Sequence, residues 1–261
     1  MPAYQTLFYT INEGVCTITL NRPEVYNAFN EQMKKELNET LREAEKDPAA
    51  RCVIIRGSGN KAFCSGQDLK EHFESKRSLK ESLEKSYNPM IHKIRTMEKP
   101  VLAMINGVAA GAGCSLALSC DMRFMSSTAK LIEVFIRIGL VPDSGSHWFL
   151  PRLVGMARAF EYSATGRDIS AEEAERVGLV NKVLPPEKLE EETMSLARTF
   201  AEAPTKAIGL IKRTLNRSLH SDLETILRYE ARIQEIASQT EDHREGVKAF
   251  LEKRPARFKG K

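Results

Sequence analysis

The chain has 261 residues, 42% of them hydrophobic and 28% charged, and carries a formal net charge of +4. These proportions fit a soluble globular protein with an ordinary core, built as one large domain or one domain plus an appendage. The mild, scattered charge and single Trp argue against nucleic acid, whereas a small polyanionic ligand suits them, and no apolar run approaches the ~20 residues of a membrane helix.

Leu7 to Leu20 alternates as a hairpin that turns at Asn12-Glu13-Gly14. Asn30 is a candidate N-cap for an amphipathic helix with Met33, Leu37, Leu41 and Ala44 inward. A strand is expected at Cys52–Arg56 and a polar helical region from about Asp68 to Met97, lying on the surface and carrying Lys76, Lys80 and Lys85. Strand Val101–Ile105 precedes an apolar helix at Cys114–Cys120, and Met122–Met125 is another short strand. Leu131–Ile138 is apolar apart from Glu133 and Arg137. Gly139-Leu-Val-Pro142-Asp143-Ser144-Gly145 forms a turn before a helix from about Ser146 to Leu153, with a further helix at Ala157–Thr165. Ser170 and Glu173 form a capping box, and Leu179–Leu184 is a strand. Beyond Glu187 only helices are expected, at about 187–202, 205–217, 221–238 and 241–252. A strand, glycine turn and helix recur at Cys52, Val101 and Leu131. The front alternates strands and helices, which predicts an α/β body over 1–200, followed by a helical region over 201–261. Such an appendage is expected to pack on a neighbouring subunit.

The five cysteines show no CxxC or Cys/His ligand spacing, so no metal is expected and a reducing, cytoplasmic setting is. Met1-Pro-Ala-Tyr-Gln has no signal-peptide pattern. Two small-residue segments stand out: Cys64-Ser65-Gly66-Gln67-Asp68, and Ala110-Gly111-Ala112-Gly113 at the start of an apolar helix. Free backbone N–H groups from two such segments, meeting on one oxygen, would form an oxyanion hole; either segment alone is also compatible with an ordinary tight turn. The second is not a dinucleotide fingerprint, because Leu116 stands where a third glycine would be needed.

These residues carry a resemblance. Asn21-Arg22-Pro23 with Asn27-Ala28, Ala62 through Leu69, Lys99-Pro100-Val101 through Asn106-Gly107, Gly111-Ala112-Gly113, Gly139-Leu-Val-Pro142 and Leu150-Pro151-Arg152 are similar to the crotonase superfamily, the enoyl-CoA hydratase/isomerase group. The run ending at Asp143-Ser144-Gly145 with Trp148 is most similar to the phenylacetate-pathway enoyl-CoA isomerases. The resemblance implies a crotonase-type spiral of strand–strand–helix turns with a C-terminal helical trimerisation region, as a homotrimer or homohexamer. It implies an acyl-CoA thioester as substrate and no separate cofactor, coenzyme A being part of the substrate. The Ser65 and Ala112 amides would form the oxyanion hole, with Ser65, Gly66, Gln67, Asp68, Gly111 and Gly113 on the CoA ester. Hydratases of the group carry two Glu residues where this chain has Ser115 and Phe135, which demotes hydration. Asp143 is then the expected base of a double-bond isomerisation through an enolate, although Pro-Asp-Ser-Gly is also a common helix-capping sequence. Glu133, Ser115 and Phe135 are secondary candidates. Enoyl-CoA hydration and a non-catalytic acyl-CoA-binding subunit remain as alternatives. Cys64 and Cys114 read as small buried packing, and Phe258 and Lys259 as a frayed end or, on the resemblance, a reach to a neighbour's CoA.

Overall fold

In the computed structural model, which describes residues 4–75 and 77–261, the hairpin forms as β1 (Leu7–Asn12) and β2 (Val15–Leu20), paired antiparallel across a turn in which Glu13 and Gly14 both have positive φ. Helix α1 (Glu31–Lys46) starts as expected. The Asn30 side chain accepts a hydrogen bond from the Met33 amide, and Met33, Leu37, Leu41 and Ala44 are all buried.

Three strand pairs follow: β3 (Cys52–Gly57) with β4 (Ala62–Cys64), β5 (Val101–Ile105) with β6 (Val108–Ala110), and β7 (Met122–Ser126) with β8 (Lys130–Ile132). The first strand of each pair enters one sheet and the second enters another. With β9 (Asp168–Ser170) and β10 (Lys182–Leu184), the described residues give a six-stranded sheet in the order β1-β2-β3-β5-β7-β10 and a four-stranded sheet in the order β4-β6-β8-β9. Pairing from β2 through β10 is parallel, as it is among β4, β6 and β8. Each pair is followed by helix, which produces the expected spiral. The third repeat differs from the expected register: it begins at β7, and Leu131 lies in its second strand.

Parallel strands in mid-sheet are covered on both faces, so β3 and β5 read as continuous apolar runs. Val53, Ile55, Ala103 and Ile105 face the main core, which α1 also enters. Cys52, Ile54, Leu102 and Met104 face the other side, where Leu189, Ala197 and Ala201 of α8 (Pro186–Glu202) cover them.

The region expected to be one polar helical stretch is broken into α2 (Leu69–Glu74), α3 (Leu79–Ser82), a π-helical turn at Leu83–Tyr87 and α4 (Asn88–Thr96). Asp68 and Ser78 each cap a new start, and Pro89 sits in the first turn of α4. Its Met90 and Ile94 are fully buried, so the segment is anchored rather than surface-lying throughout; Lys76 lies outside the described residues. Helix α5 (Ala112–Ser119) is buried along its whole length. Helix α6 (Ser146–Thr165) joins the two helices expected there across a kink at Gly155, where φ is 78°. Helix α7 (Ala171–Arg176) follows β9, and Ser170 caps it while Glu173 turns to Arg167 instead of completing the box. Helices α9 (Thr205–Ser218), α10 (Leu223–Ser238) and α11 (Glu241–Leu251) end the fold. The tail after them is tied down, not frayed: the Asp242 carboxylate accepts the Lys259 and Gly260 amides at 2.6 and 2.7 Å, and Arg51 donates to the Phe258 carbonyl.

Candidate active site

The small-residue segments at the ends of β4 and β6 lie against each other, and the contact dictates their glycines. A Cβ on Gly113 would stand 2.2 Å from the Cys64 carbonyl oxygen. A Cβ on Gly66 would stand 2.9 Å from the Ala110 oxygen and 3.4 Å from the Ala112 nitrogen, and Gly66 also has φ +97°. Only glycine lets these backbones approach so closely. Their meeting forms one wall of a cavity of about 330 Å³.

The amides along that wall are not equally free. Ser65 N–H donates to the Tyr26 carbonyl at 3.0 Å, and Asp68 N–H donates to Phe29 at 2.9 Å. Ser65 therefore cannot supply the donor expected of it, because its proton is already held. Gln67 N–H has no partner among the described residues and borders the cavity. Ala112, the first residue of α5, likewise has an amide with no carbonyl to bond, and the helix dipole reinforces it. Gln67 and Ala112 thus each bring to the cavity an amide with no carbonyl partner among the described residues. Of the other segment residues, Ser65, Gly66 and Gly111 line the cavity. Gly113 instead packs on β4, and the Asp68 carboxylate is taken by Arg22 at 3.0 Å and by the capped Glu71 amide. The remaining motif asparagines are braces: Asn27 ties the loop at Ser58 to Ala62, and Asn106 ties Gly57 to Gly59.

Asp143 lines the same cavity. Its loop contains two consecutive left-handed residues, Ser144 at φ 50° and Gly145 at φ 90°. The helix that follows takes Gly145 as its N-cap and receives no side-chain cap bond, so the capping role for Asp143 is excluded. The one donor on its carboxylate is the Ser144 hydroxyl at 2.8 Å. Burial raises its pKa above the ordinary value, opposed by the Ser144 bond and by His147. Among the described residues lining the cavity, Asp143 carries the sole carboxyl group. The rest of the lining is largely apolar, including Leu69, Leu83, Phe135, Ile138 and Leu140.

The positions 115 and 135 separate. Phe135 lines the cavity, whereas Ser115, on α5, is fully buried and is not part of the lining. Glu133 lies behind the wall, fully buried. Two residues apart on an extended strand it would share a face with Phe135; the two separate because β8 ends at Ile132 and the chain enters a tight 3-10 turn at Val134–Ile138. Glu133 accepts the Ser146 hydroxyl at 2.9 Å, and its Oε2 has no partner. Burial pushes its pKa up to about 7. Cys64 and Cys114 are buried, and loss of solvent raises both thiols, so neither is a thiolate nucleophile.

Sequence reasoning singled out none of the polar lining groups His72, Ser82 and Tyr87. The π-helical turn aims Tyr87 inward, where its hydroxyl donates to Gln67 Oε1 at 2.6 Å, and that oxygen also accepts from buried Lys34. Burial keeps the phenol protonated. A tyrosine among surface-like lysines carries no signal of this; only the packing reveals it.

Residues 10–261 match the enoyl-CoA hydratase/isomerase family. The chain belongs to that family. It is 41% identical over 255 residues to the 1,2-epoxyphenylacetyl-CoA isomerase of Escherichia coli, covering 96% of this chain and 97% of that one. It is 35% identical over 240 residues to the short-chain-enoyl-CoA hydratase of Clostridium acetobutylicum, covering 92% of each. The crystal structure of an enoyl-CoA hydratase from Bacillus anthracis superposes with a TM-score of 0.93 at 34% identity, covering 98% of this chain and all of that one (100%). Isomerase and hydratase names occur among these relatives on one architecture, so membership of the enoyl-CoA hydratase/isomerase family fixes the fold and leaves the reaction to the site.

Proposed function

We propose that this protein is an enoyl-CoA isomerase that moves a double bond by proton transfer through an enolate. The observation that carries this reading is a single cavity carboxyl among the described residues, Asp143, in one cavity with two backbone amides without carbonyl partners, Gln67 and Ala112. The thioester carbonyl accepts from those two amides. Asp143 removes a proton from C2 of a 3-enoyl-CoA; the C–H pair forms a C1–C2 double bond as the carbonyl π pair moves onto oxygen, giving a dienolate. The carbonyl then re-forms, the C1–C2 π pair makes the C2–C3 double bond, and the C3–C4 π pair takes the proton back from the same carboxyl at C4. Negative charge grows on the thioester oxygen in the transition state, where each preorganised donor contributes about 3 kcal/mol. The apolar lining excludes water and raises the basicity of Asp143.

Hydration fits less well, because Ser115 is sealed off and Phe135 has no proton to exchange, leaving one carboxyl to do the work of two. The acyl group belongs in the apolar part of the cavity and the CoA moiety outside it. The exposed Ile211, Leu215, Leu223 and Leu227 on α9 and α10 support a C-terminal oligomerisation surface of the kind expected from the family resemblance.

The test is direct. With trans-3-hexenoyl-CoA, an isomerase produces the absorbance of a conjugated thioester. With crotonyl-CoA, a hydratase removes it. Activity only in the second assay overturns the proposal, and binding without turnover or C2 exchange in either assay identifies a non-catalytic acyl-CoA-binding protein.

A further inference from the structure

We propose that Glu133 is a positioning residue for this site, acting through a buried chain of two hydroxyls, Ser146 and Ser115, on the peptide that presents the Ala112 amide and on the Asp143 loop. The inference rests on the reading of Asp143 as the base and of Ala112 as an oxyanion donor.

The chain spans three elements. Glu133 Oε1 and Ser146 Oγ are 2.9 Å apart, and Ser146 Oγ and Ser115 Oγ are 2.8 Å apart. Ser115 Oγ then reaches two carbonyls, those of Asp143 at 3.1 Å and Gly111 at 3.2 Å. All three side chains are fully buried. The Gly111 carbonyl and the Ala112 N–H belong to one peptide group. A hydrogen bond to that carbonyl polarises the peptide and strengthens its N–H as a donor. The other acceptor is the backbone of the base itself.

Each hydroxyl has one proton, so the chain has two polarities. With Glu133 neutral, its O–H donates to Ser146, Ser146 donates to Ser115, and Ser115 donates to the Gly111 or Asp143 carbonyl. With Glu133 ionised, Ser146 and Ser115 both turn toward it, and the two carbonyls lose that donor. The groups facing Glu133 are the Cys114 thiol from α5, the Ser146 hydroxyl from α6 and, at longer range, the Asp143 carboxyl; no Lys or Arg pairs with it among the described residues. The orphaned Oε2 fits the neutral form, in which it is a carbonyl oxygen rather than half of an unpaired buried carboxylate. Burial, opposed by Ser146 and Cys114 and assisted by Asp143, puts the exchange between the two polarities at about pH 7. Neutral Glu133 is therefore the form that supports enolate formation.

The experiment measures the rate of C2 hydrogen–deuterium exchange of butyryl-CoA, and of trans-3-hexenoyl-CoA isomerisation, from pH 6 to 8.5 for the wild type, Glu133→Gln and Ser146→Ala. The wild-type kcat is expected to fall about three- to tenfold across neutral pH, the contribution of one hydrogen bond, with KM changed by less than about twofold. Glutamine does not titrate, so Glu133→Gln loses that alkaline limb. Ser146→Ala cuts the chain and frees Ser115 to donate to the carbonyls at every pH. It therefore also loses the limb and exceeds the wild type at pH 8.5. A purely structural Glu133 would change the melting temperature and leave the pH profile alone. If Glu133→Gln does not fold, Ser146→Ala decides. A wild type without the limb, or a limb that survives in the folded variants, overturns the inference. Full exchange by Asp143→Asn sinks the underlying reading instead, and a wild type that turns over neither probe removes both.

Discussion

Replacing Asp143 by Asn separates the base from every other part of the site. Asparagine has nearly the same shape, and its Oδ1 can keep the 2.8 Å bond from the Ser144 hydroxyl, so the loop with its two left-handed residues has no reason to move. The Gln67 and Ala112 amides are untouched. Only the proton acceptor is lost, and a positioned general base contributes about 10²–10⁴-fold. The expected loss in kcat is therefore about 10³-fold, or ~4 kcal/mol of barrier, with affinity for hexanoyl-CoA nearly unchanged. Stability is expected to move the other way. The pKa of Asp143 is raised by burial, so the folded protein holds its proton more tightly than the unfolded chain. Stability from this group is present at low pH and falls as pH rises from the ordinary Asp value through the raised one. At neutral pH the carboxylate is thus a liability that Asn removes, and the variant should melt no lower than the wild type. C2 deuterium exchange of butyryl-CoA, read by mass spectrometry, is the assay. An Asp143→Asn protein that exchanges within about threefold of wild type would refute the assignment.

Further tests address the wall of the cavity. Replacing the amide N–H of Gln67 with an ester oxygen, by incorporating the α-hydroxy acid, should lower kcat by about 10²-fold or more, since it deletes one oxyanion donor. The same replacement at Ser65 should cost stability, because it breaks the bond to Tyr26, and spare turnover; equal kinetic effects at both positions would contradict the donor assignment. Gly113→Ala should be destabilising by about 1–3 kcal/mol in urea unfolding despite the better helix propensity of alanine, because the new Cβ meets the Cys64 carbonyl at 2.2 Å. Glu133 should leave a mark on stability as well. Its folded pKa is about 7, above an ordinary value of 4.5, so its contribution falls by about 3 kcal/mol as pH rises through that window. The difference in unfolding free energy between wild type and Glu133→Gln, compared at pH 4.5 and pH 8, reads this, and a pH-independent difference would show that Glu133 does not titrate there.

The parts legible in the sequence are those decided locally. Helix α1 announces itself by its period and its Asn30 cap, and the apolar runs of β3 and β5 announce strands covered on both faces. By contrast, β4, β6 and β9 are three residues long, too short for any alternation to show. The oxyanion segments were recognisable because close backbone approach demands glycine. Which amide within them is free was not, since that depends on the carbonyls of Tyr26 and Phe29, roughly forty residues away in the chain. That is why the free amide falls at Gln67, two residues from the expected Ser65. Asp143 could be singled out because its turn resembles the acidic turn of isomerases in the family, not from the residues alone, which also suit a helix cap. Its capping alternative could be removed only by seeing where the helix takes its cap. The Glu133, Ser146 and Ser115 chain assembles from three elements and leaves no spacing to read.

The placement of acidic groups argues for the chemistry more strongly than their number. A cavity this apolar can keep one carboxylate ionised near neutral pH at modest cost, but two facing carboxyls would raise each other's pKa and one would stay protonated. That pairing serves the addition of water, which needs an acid and a base together. It does not serve a 1,3-proton shift, in which one group alternates between both roles. Here the second acid, Glu133, is set behind the wall, away from the cavity lining, and is linked to the site by hydrogen bonds through Ser146 and Ser115. Phe135 lines the cavity at the position where, by the family resemblance, hydratases carry their second carboxyl. Phe135→Glu should therefore push the protein toward hydration of crotonyl-CoA while slowing isomerisation, because it restores the missing partner and admits water beside Asp143. If the substitution folds, binds crotonyl-CoA and produces no gain in hydration, the absence of a second carboxyl is not what limits this site to moving a proton.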